Sequence, residues 1–262
     1  MSHKFASNNQ LKMLKKLMMR KYRNKEGLFV AEGVRCVEQI LDNGQINVKE
    51  VFADESLSDS FSFIPAGTPT YFTDGGTLSD ISDTENTQGI LAICEIPKEN
   101  QPDEVVDKKG LIVALDAIQD PGNAGTIIRT ATWFGASAIL SGTGTVDIYH
   151  PKVVRSTAGA TGCLPVLSGN LQNILPIFDA SGWSISLLDG GARAQNIKEI
   201  AKHKRQLIVV GNEGNGVQQR VLKLGYPTVT IPGDANIVES LNAAVACSIA
   251  LFHFSAPSNI KA

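Results

Sequence analysis

Between residues 8 and 22 the apolar side chains Leu11, Leu14, Leu17 and Met18 recur at spacings of three and four, with Lys12, Lys15, Lys16 and Arg20 between them. That period predicts one amphipathic helix with a basic face. Short apolar runs and turn signals follow. They predict a strand over 28–31, a helix over 33–41 closed by Asn43-Gly44, and strands over 48–53, 70–72 and 89–96, a small α/β arrangement. Residues 98–109 are charged, carry a proline and show no period, so they are expected to be a linker between a domain at 1–97 and a second at 110–262. In that second part, β-rich runs at 111–115, 138–140, 164–167, 184–188, 206–210 and 228–231 alternate with helical stretches. Such alternation predicts a parallel sheet covered by helices on both faces. The closing stretch, 240–254, is apolar nearly all round, so its helix must be buried against the sheet, a second subunit, or both.

A length of 262 residues suits two domains. Hydrophobic residues make up 43% and charged residues 19%, and no run approaches the roughly 18 apolar residues of a membrane span. The first 25 residues lack the apolar core of a secretory signal; their basic character also fits an organelle transit peptide, but a cytoplasmic location is the expectation. Cys36, Cys94, Cys163 and Cys247 are far apart within apolar runs, which suggests reduced core fillers and no metal site. Net charge is −2, but its distribution is uneven: eight basic residues precede Glu26, the first acidic one, leaving −10 for the remainder. One end is suited to an anionic partner, although a short basic run can also be a solvated tail.

Three loops carry the candidate chemistry, each expected at the carboxyl end of a strand, where open parallel sheets bind ligands. The first runs from Asp116 through Pro121-Gly122 to a helix opening near Asn123, with Arg129 six residues further on. Asn123 is expected to cap that helix, and Arg129 is either placed to meet an anion or engaged in a surface ion pair. The second, Val-Val-Gly-Asn-Glu-Gly-Asn-Gly-Val at 209–217, holds three glycines around Glu213; its order is not that of a dinucleotide fingerprint, and alone it can be a plain glycine-rich turn. The third passes from Ile231-Pro232 to Ser240-Leu241-Asn242, polar groups that open the apolar helix and can serve as its caps.

Together these motifs resemble those of the SpoU (TrmH-like) RNA ribose methyltransferases of the SPOUT superfamily. The likeness rests on Asn123, Gly125 and Arg129; on Gly211, Glu213, Gly214 and Gly216; on Ile231, Pro232, Ser240, Leu241 and Asn242; on the stretch His150 to Ser156; and on residues 15–33. Two departures are visible: Gly233 stands where the family has methionine, and one extra residue separates Pro232 from Ser240. The resemblance implies a catalytic domain with a trefoil knot, preceded by a ribosomal-protein-like RNA-binding domain. It implies a homodimer that buries the final helix. S-adenosylmethionine is the implied cofactor, held around Gly211, Ile231 and Leu241, and the implied reaction is methylation of a ribose 2′-hydroxyl, with ribosomal RNA favoured over transfer RNA. A noncatalytic RNA-binding member of the fold is the alternative. Arg129, Asn123, Glu213, Ser240 and Asn242 would form the catalytic site; Lys12, Lys15, Lys16, Arg20, Lys152 and Arg155 would meet the RNA. A guanidinium is an awkward base because it normally only donates. Arg129 is therefore read as a phosphate clamp and the general base is left unassigned.

Overall fold

The computed structural model describes residues 4–82, 84, 87–191, 193–234 and 237–255, in two compact units. The first opens with α1 (Asn8–Leu17), where Ser7 and Gln10 form a reciprocal capping box. The single helix expected here is broken in two. Met19 is extended, and α2 (Arg20–Glu26) starts afresh. The cause is Arg23, which is 1% exposed: its Nη1 donates to the carbonyls of Leu17 and Met18, both at 2.9 Å, satisfying the acceptors a continuing helix would have used. There follow β1 (Leu28–Glu32), α3 (Val34–Asn43), closed by a left-handed Gly44 as its Asn-Gly signal predicts, β2 (Val48–Asp54), β3 (Thr70–Thr73), α4 (Gly75–Ile81) and β4 (Ile90–Glu95). The strands form a sheet ordered β1-β4-β2-β3, antiparallel except between β2 and β3. Alternation along the strands sends Val30, Phe52, Leu91 and Ile93 to one face, against Leu14 and Leu17 of α1 and Leu78 of α4. Phe29, Ala31, Val51 and Ala92 face the other way, against Val37 and Ile40 of α3.

The second unit is built on seven parallel strands. In chain order it contains β5 (Gly110–Asp116), α5 (Pro121–Trp133) and β6 (Ala138–Gly142). Residues 147–163, with α6 (Pro151–Ser156), belong instead to the first unit, so neither unit is continuous in sequence. Next come β7 (Val166–Gly169), α7 (Leu171–Ala180), β8 (Ser184–Leu188), β9 (Gln195–Asn196), β10 (Arg205–Gly211), α8 (Gln219–Leu222), β11 (Thr228–Thr230) and α9 (Ala243–Phe254). The order across the sheet is β7-β6-β5-β10-β8-β11-β9. The central strands β5 and β10 are apolar runs buried on both faces, as the sequence pattern predicts.

The stretch expected to be a linker packs into this second unit. Val105 is fully buried in its core, the Val106 carbonyl accepts from Trp183 Nε1 at 2.8 Å, and Glu99 accepts from the Ser168 amide at 2.7 Å. Two adjacent valines inside a charged run supply enough apolar surface to dock it. Cys36, Cys94 and Cys247 are buried free thiols; burial raises all three above their ordinary range, Cys36 and Cys247 to about 12. No helix among the described residues is long and apolar enough to cross a membrane.

Candidate functional site

Register across the second sheet sets where the loops emerge. Asp116 pairs with Gly211, Val210 with Leu188, and Leu188 with Val229, so β5, β10, β8 and β11 end on one edge. The loops that carry Asn123, Glu213 and Ile231 all leave from there.

The first of them differs from the sequence expectation in one respect. Asp120, not Asn123, caps α5: its carboxylate accepts from the Asn123 amide at 2.7 Å, and Pro121 occupies the first turn, where its missing N–H costs nothing. Asp120 precedes the proline and so keeps the extended backbone that a capping residue needs. Asn123, relieved of that duty, uses its side chain elsewhere. Its amide Nδ2 donates to Glu213 of the β10 loop, and its Oδ1 accepts from Asn242 Nδ2 at 2.9 Å. Asn242 in turn caps α9 through the amides of Ala244 and Val245, at 2.9 and 3.2 Å. Three loops distant in sequence are thus joined by one asparagine.

Arg129 projects from α5 into solvent and has no ion-pair partner among the described residues, so the surface salt bridge is not what holds it. Ser240 and Leu241 are exposed in the lead-in to α9, which begins at Ala243 rather than at Ser240. Ser240 stands outside the bonded set of Asn123, Glu213 and Asn242. Ile231 lies just past the end of β11, and Gly211 ends β10.

What shapes the β10 loop is its bonding to three residues outside the motifs, Asp116, Ala117 and Asp189. Asp116, 1% exposed, accepts from the Gln218 amide at 2.7 Å. Burial pushes its carboxyl above the usual range, against the opposing pull of that amide and of Arg220. Asn212 Nδ2 donates to the Ala117 carbonyl at 3.1 Å, and Ala117 is held in the left-handed region at φ 56°. Asp189 accepts from the Val217 amide at 3.4 Å, while Asn212 and Gly216 exchange backbone hydrogen bonds. An acidic residue closing an apolar strand, as Asp116 does, was the visible sign of a buried carboxylate with work to do. Among the described residues no cluster of His, Cys, Asp or Glu able to hold a metal is found.

In the first unit Lys12, Lys15, Lys16, Arg20 and Lys152 are exposed. Arg155 is placed differently. Its Nη1 donates to Glu32 at 2.9 Å; Glu32 is 2% exposed and also accepts from Ser82 and Thr84. A buried carboxylate stripped of its guanidinium is costly, so this contact fastens α6 to the end of β1.

The comparisons agree with this geometry. Residues 110–252 match the SpoU rRNA Methylase family, and residues 8–92 match the MRM3-like substrate binding domain. The chain is 35% identical to the 23S rRNA (guanosine(2553)-2'-O)-methyltransferase RlmP of Bacillus subtilis, over 95% of this chain and 96% of that protein. It is similar in structure to an AdoMet-bound rRNA methyltransferase from Sinorhizobium meliloti, with a TM-score of 0.81, 27% identity and 96% of each chain covered. Three loops converging on the carboxyl edge of a parallel sheet, with the sequence match running over more than half the chain, place it in one group: the chain belongs to the SpoU rRNA methylase family.

Proposed function

We propose that this protein transfers the methyl group of S-adenosylmethionine to a ribose 2′-hydroxyl of ribosomal RNA, in the cytoplasm. The observation that carries the reading is the bonded set of Asn123, Glu213 and Asn242 at the carboxyl edge of the sheet. Glu213, the one charged side chain of its glycine-rich loop, is held in a fixed direction by Asn123, and Asn242 locks Asn123 to the start of α9. The relative from Bacillus subtilis is named for the same chemistry on 23S rRNA.

The residues present fit the cofactor. A Cβ added to Gly233 would meet no atom within 4 Å, and Ile237, Val238 and Leu241 are exposed apolar side chains able to cover an adenine ring. When bound, S-adenosylmethionine supplies a methyl group on a positively charged sulfur. Arg129 reaches from α5 to grip the phosphate beside the target ribose, which fixes the hydroxyl for in-line approach. Glu213 offers a carboxylate toward the hydroxyl oxygen, which gains positive charge as it attacks, Ser240 offers an exposed hydroxyl at the lead-in to α9, and the base stays unassigned. The chain from β10 to α9 is read as the trefoil knot of the family. The first unit, ribosomal-protein-like, holds RNA through Lys12, Lys15, Lys16, Arg20 and Lys152, with Arg155 supporting that surface by fixing α6. The functional division is between an RNA-binding domain at 1–97 together with 147–163 and a catalytic domain at 110–262 onto which 99–109 pack.

A second copy of the chain completes the assembly. Val245, Ile249 and Phe252 are exposed along one face of α9, and Trp133 of α5 is 77% exposed, while Ala244, Cys247 and Leu251 take the buried face. An apolar stripe of this kind marks an interface. Phe252→Asp is expected to convert the dimer to a monomer in sedimentation with an unchanged cofactor affinity per chain; a dimer that persists would place the interface elsewhere.

The function itself is tested by incubating the purified protein with methyl-labelled S-adenosylmethionine and rRNA lacking the modification. Label should appear on a ribose 2′-oxygen. Label on a base, or on tRNA alone, would replace this reading.

A further inference from the structure

In the basic segment the ring of Tyr22 lies beneath two lysine ammonium groups. Lys21 Nζ lies 4.8 Å and Lys16 Nζ 5.7 Å from the centroid of Tyr22, itself half-buried on α2. In one continuous helix Lys16 and Tyr22, six residues apart, would point to different faces. The break at Met18 and Met19, held by the buried Arg23, brings them together. Neither ammonium has a carboxylate partner among the described residues, where Lys25 pairs with Glu26. Cations resting on a ring, with no anion to neutralise them, form an acceptor in two parts: the ammonium groups suit phosphate, and the ring suits a flat base.

We propose that Tyr22, flanked by Lys16 and Lys21, is a stacking platform for an unpaired RNA base. Phosphates on either side of that base draw the two lysines off the ring and free its face. Duplex RNA keeps its base faces inside the stack, so the platform holds single-stranded RNA. Every base has such a face, so the site grips the strand without choosing the nucleotide, and selection lies elsewhere. The inference rests on the first unit being the RNA-binding part.

The test uses the full chain and two short single strands of equal length and charge, oligouridylate and an abasic ribose-phosphate chain. The unaltered protein should prefer the base-bearing strand about tenfold. Tyr22→Phe should keep that preference. Tyr22→Leu should abolish it, with an unchanged salt dependence and an unchanged unfolding midpoint. Lys16→Ala with Lys21→Ala should do the converse, keeping the preference and flattening the salt slope by about 0.7 per lost contact. A Tyr22→Leu protein that still prefers oligouridylate overturns the proposal, as does tighter binding of duplex RNA that Tyr22→Leu leaves untouched. Absence of salt-dependent binding to either strand would remove the RNA-binding role of the first unit, a different result from losing the platform alone.

Discussion

Gly211→Ala is expected to lose S-adenosylmethionine affinity by at least about a hundredfold, or roughly 2.7 kcal/mol. The reason lies in the backbone around it. A Cβ at Gly211 would sit 2.2 Å from the carbonyl carbon of Gly216 and 2.3 Å from both the Gly216 oxygen and the Val217 nitrogen. These are main-chain atoms, so no side chain can swing aside, and the loop from Asn212 to Gly216 has to open. Opening strains the Asn212–Gly216 backbone pair and the Gln218 amide bond to Asp116, which hold the loop shut. Overpacking of this sort costs about 1 to 3 kcal/mol, and more where backbone blocks relaxation. Gly214→Ala is the matched control: its Cβ would meet only Asn212 Oδ1, at 3.6 Å, an ordinary contact. It should bind the cofactor within about twofold of the unaltered protein. Calorimetric titration of both variants checks this. Normal affinity in the Gly211→Ala protein would show that the loop is not part of the cofactor site.

The contrast between these two glycines shows what a sequence can and cannot reveal. Apolar runs located the central strands β5 and β10, which are buried on both faces, and the neighbours of those strands; the short edge strand β9, Gln195–Asn196, is polar and half exposed and carries no such run. Periodicity located α1 less well. Nothing in the spacing of Leu11, Leu14 and Leu17 shows that Arg23 will turn back onto two carbonyls and end the helix. The same limit explains Asn123. As a sequence, a polar residue after Pro-Gly is a good cap; in space Asp120, one residue before the proline, takes the cap and leaves Asn123 for Glu213 and Asn242. The pairing of Arg155 with Glu32 joins residues 123 apart in the chain and has no local signature at all. Motifs therefore named the residues, while their duties depended on partners far away in sequence.

Arg129 is where charge and geometry make the largest separable contributions, and a pair of substitutions distinguishes them. It is exposed on α5 with no ion-pair partner among the described residues, six residues after Asn123 on the same helix. A guanidinium left without a carboxylate partner among the described residues, on the helix that opens at the carboxyl edge of the sheet, is suited to a phosphate gripped in two-pronged fashion. Arg129→Lys keeps the charge and loses the fork; Arg129→Ala loses both. We expect Lys to retain part of the activity and Ala to retain little, a loss of roughly 3 kcal/mol or more, somewhat over a hundredfold in kcat/KM. Because the side chain is exposed, neither change should lower the unfolding midpoint appreciably. Neither should alter S-adenosylmethionine affinity, since that site is expected at Gly211, Ile231 and Leu241. The decisive measurement is single-turnover methyl transfer at saturating RNA. If Arg129 only helps binding, saturation restores the rate in the Ala variant; if it also stabilises the transition state, the deficit persists. Full recovery would remove Arg129 from the catalytic step and shift that assignment to Glu213.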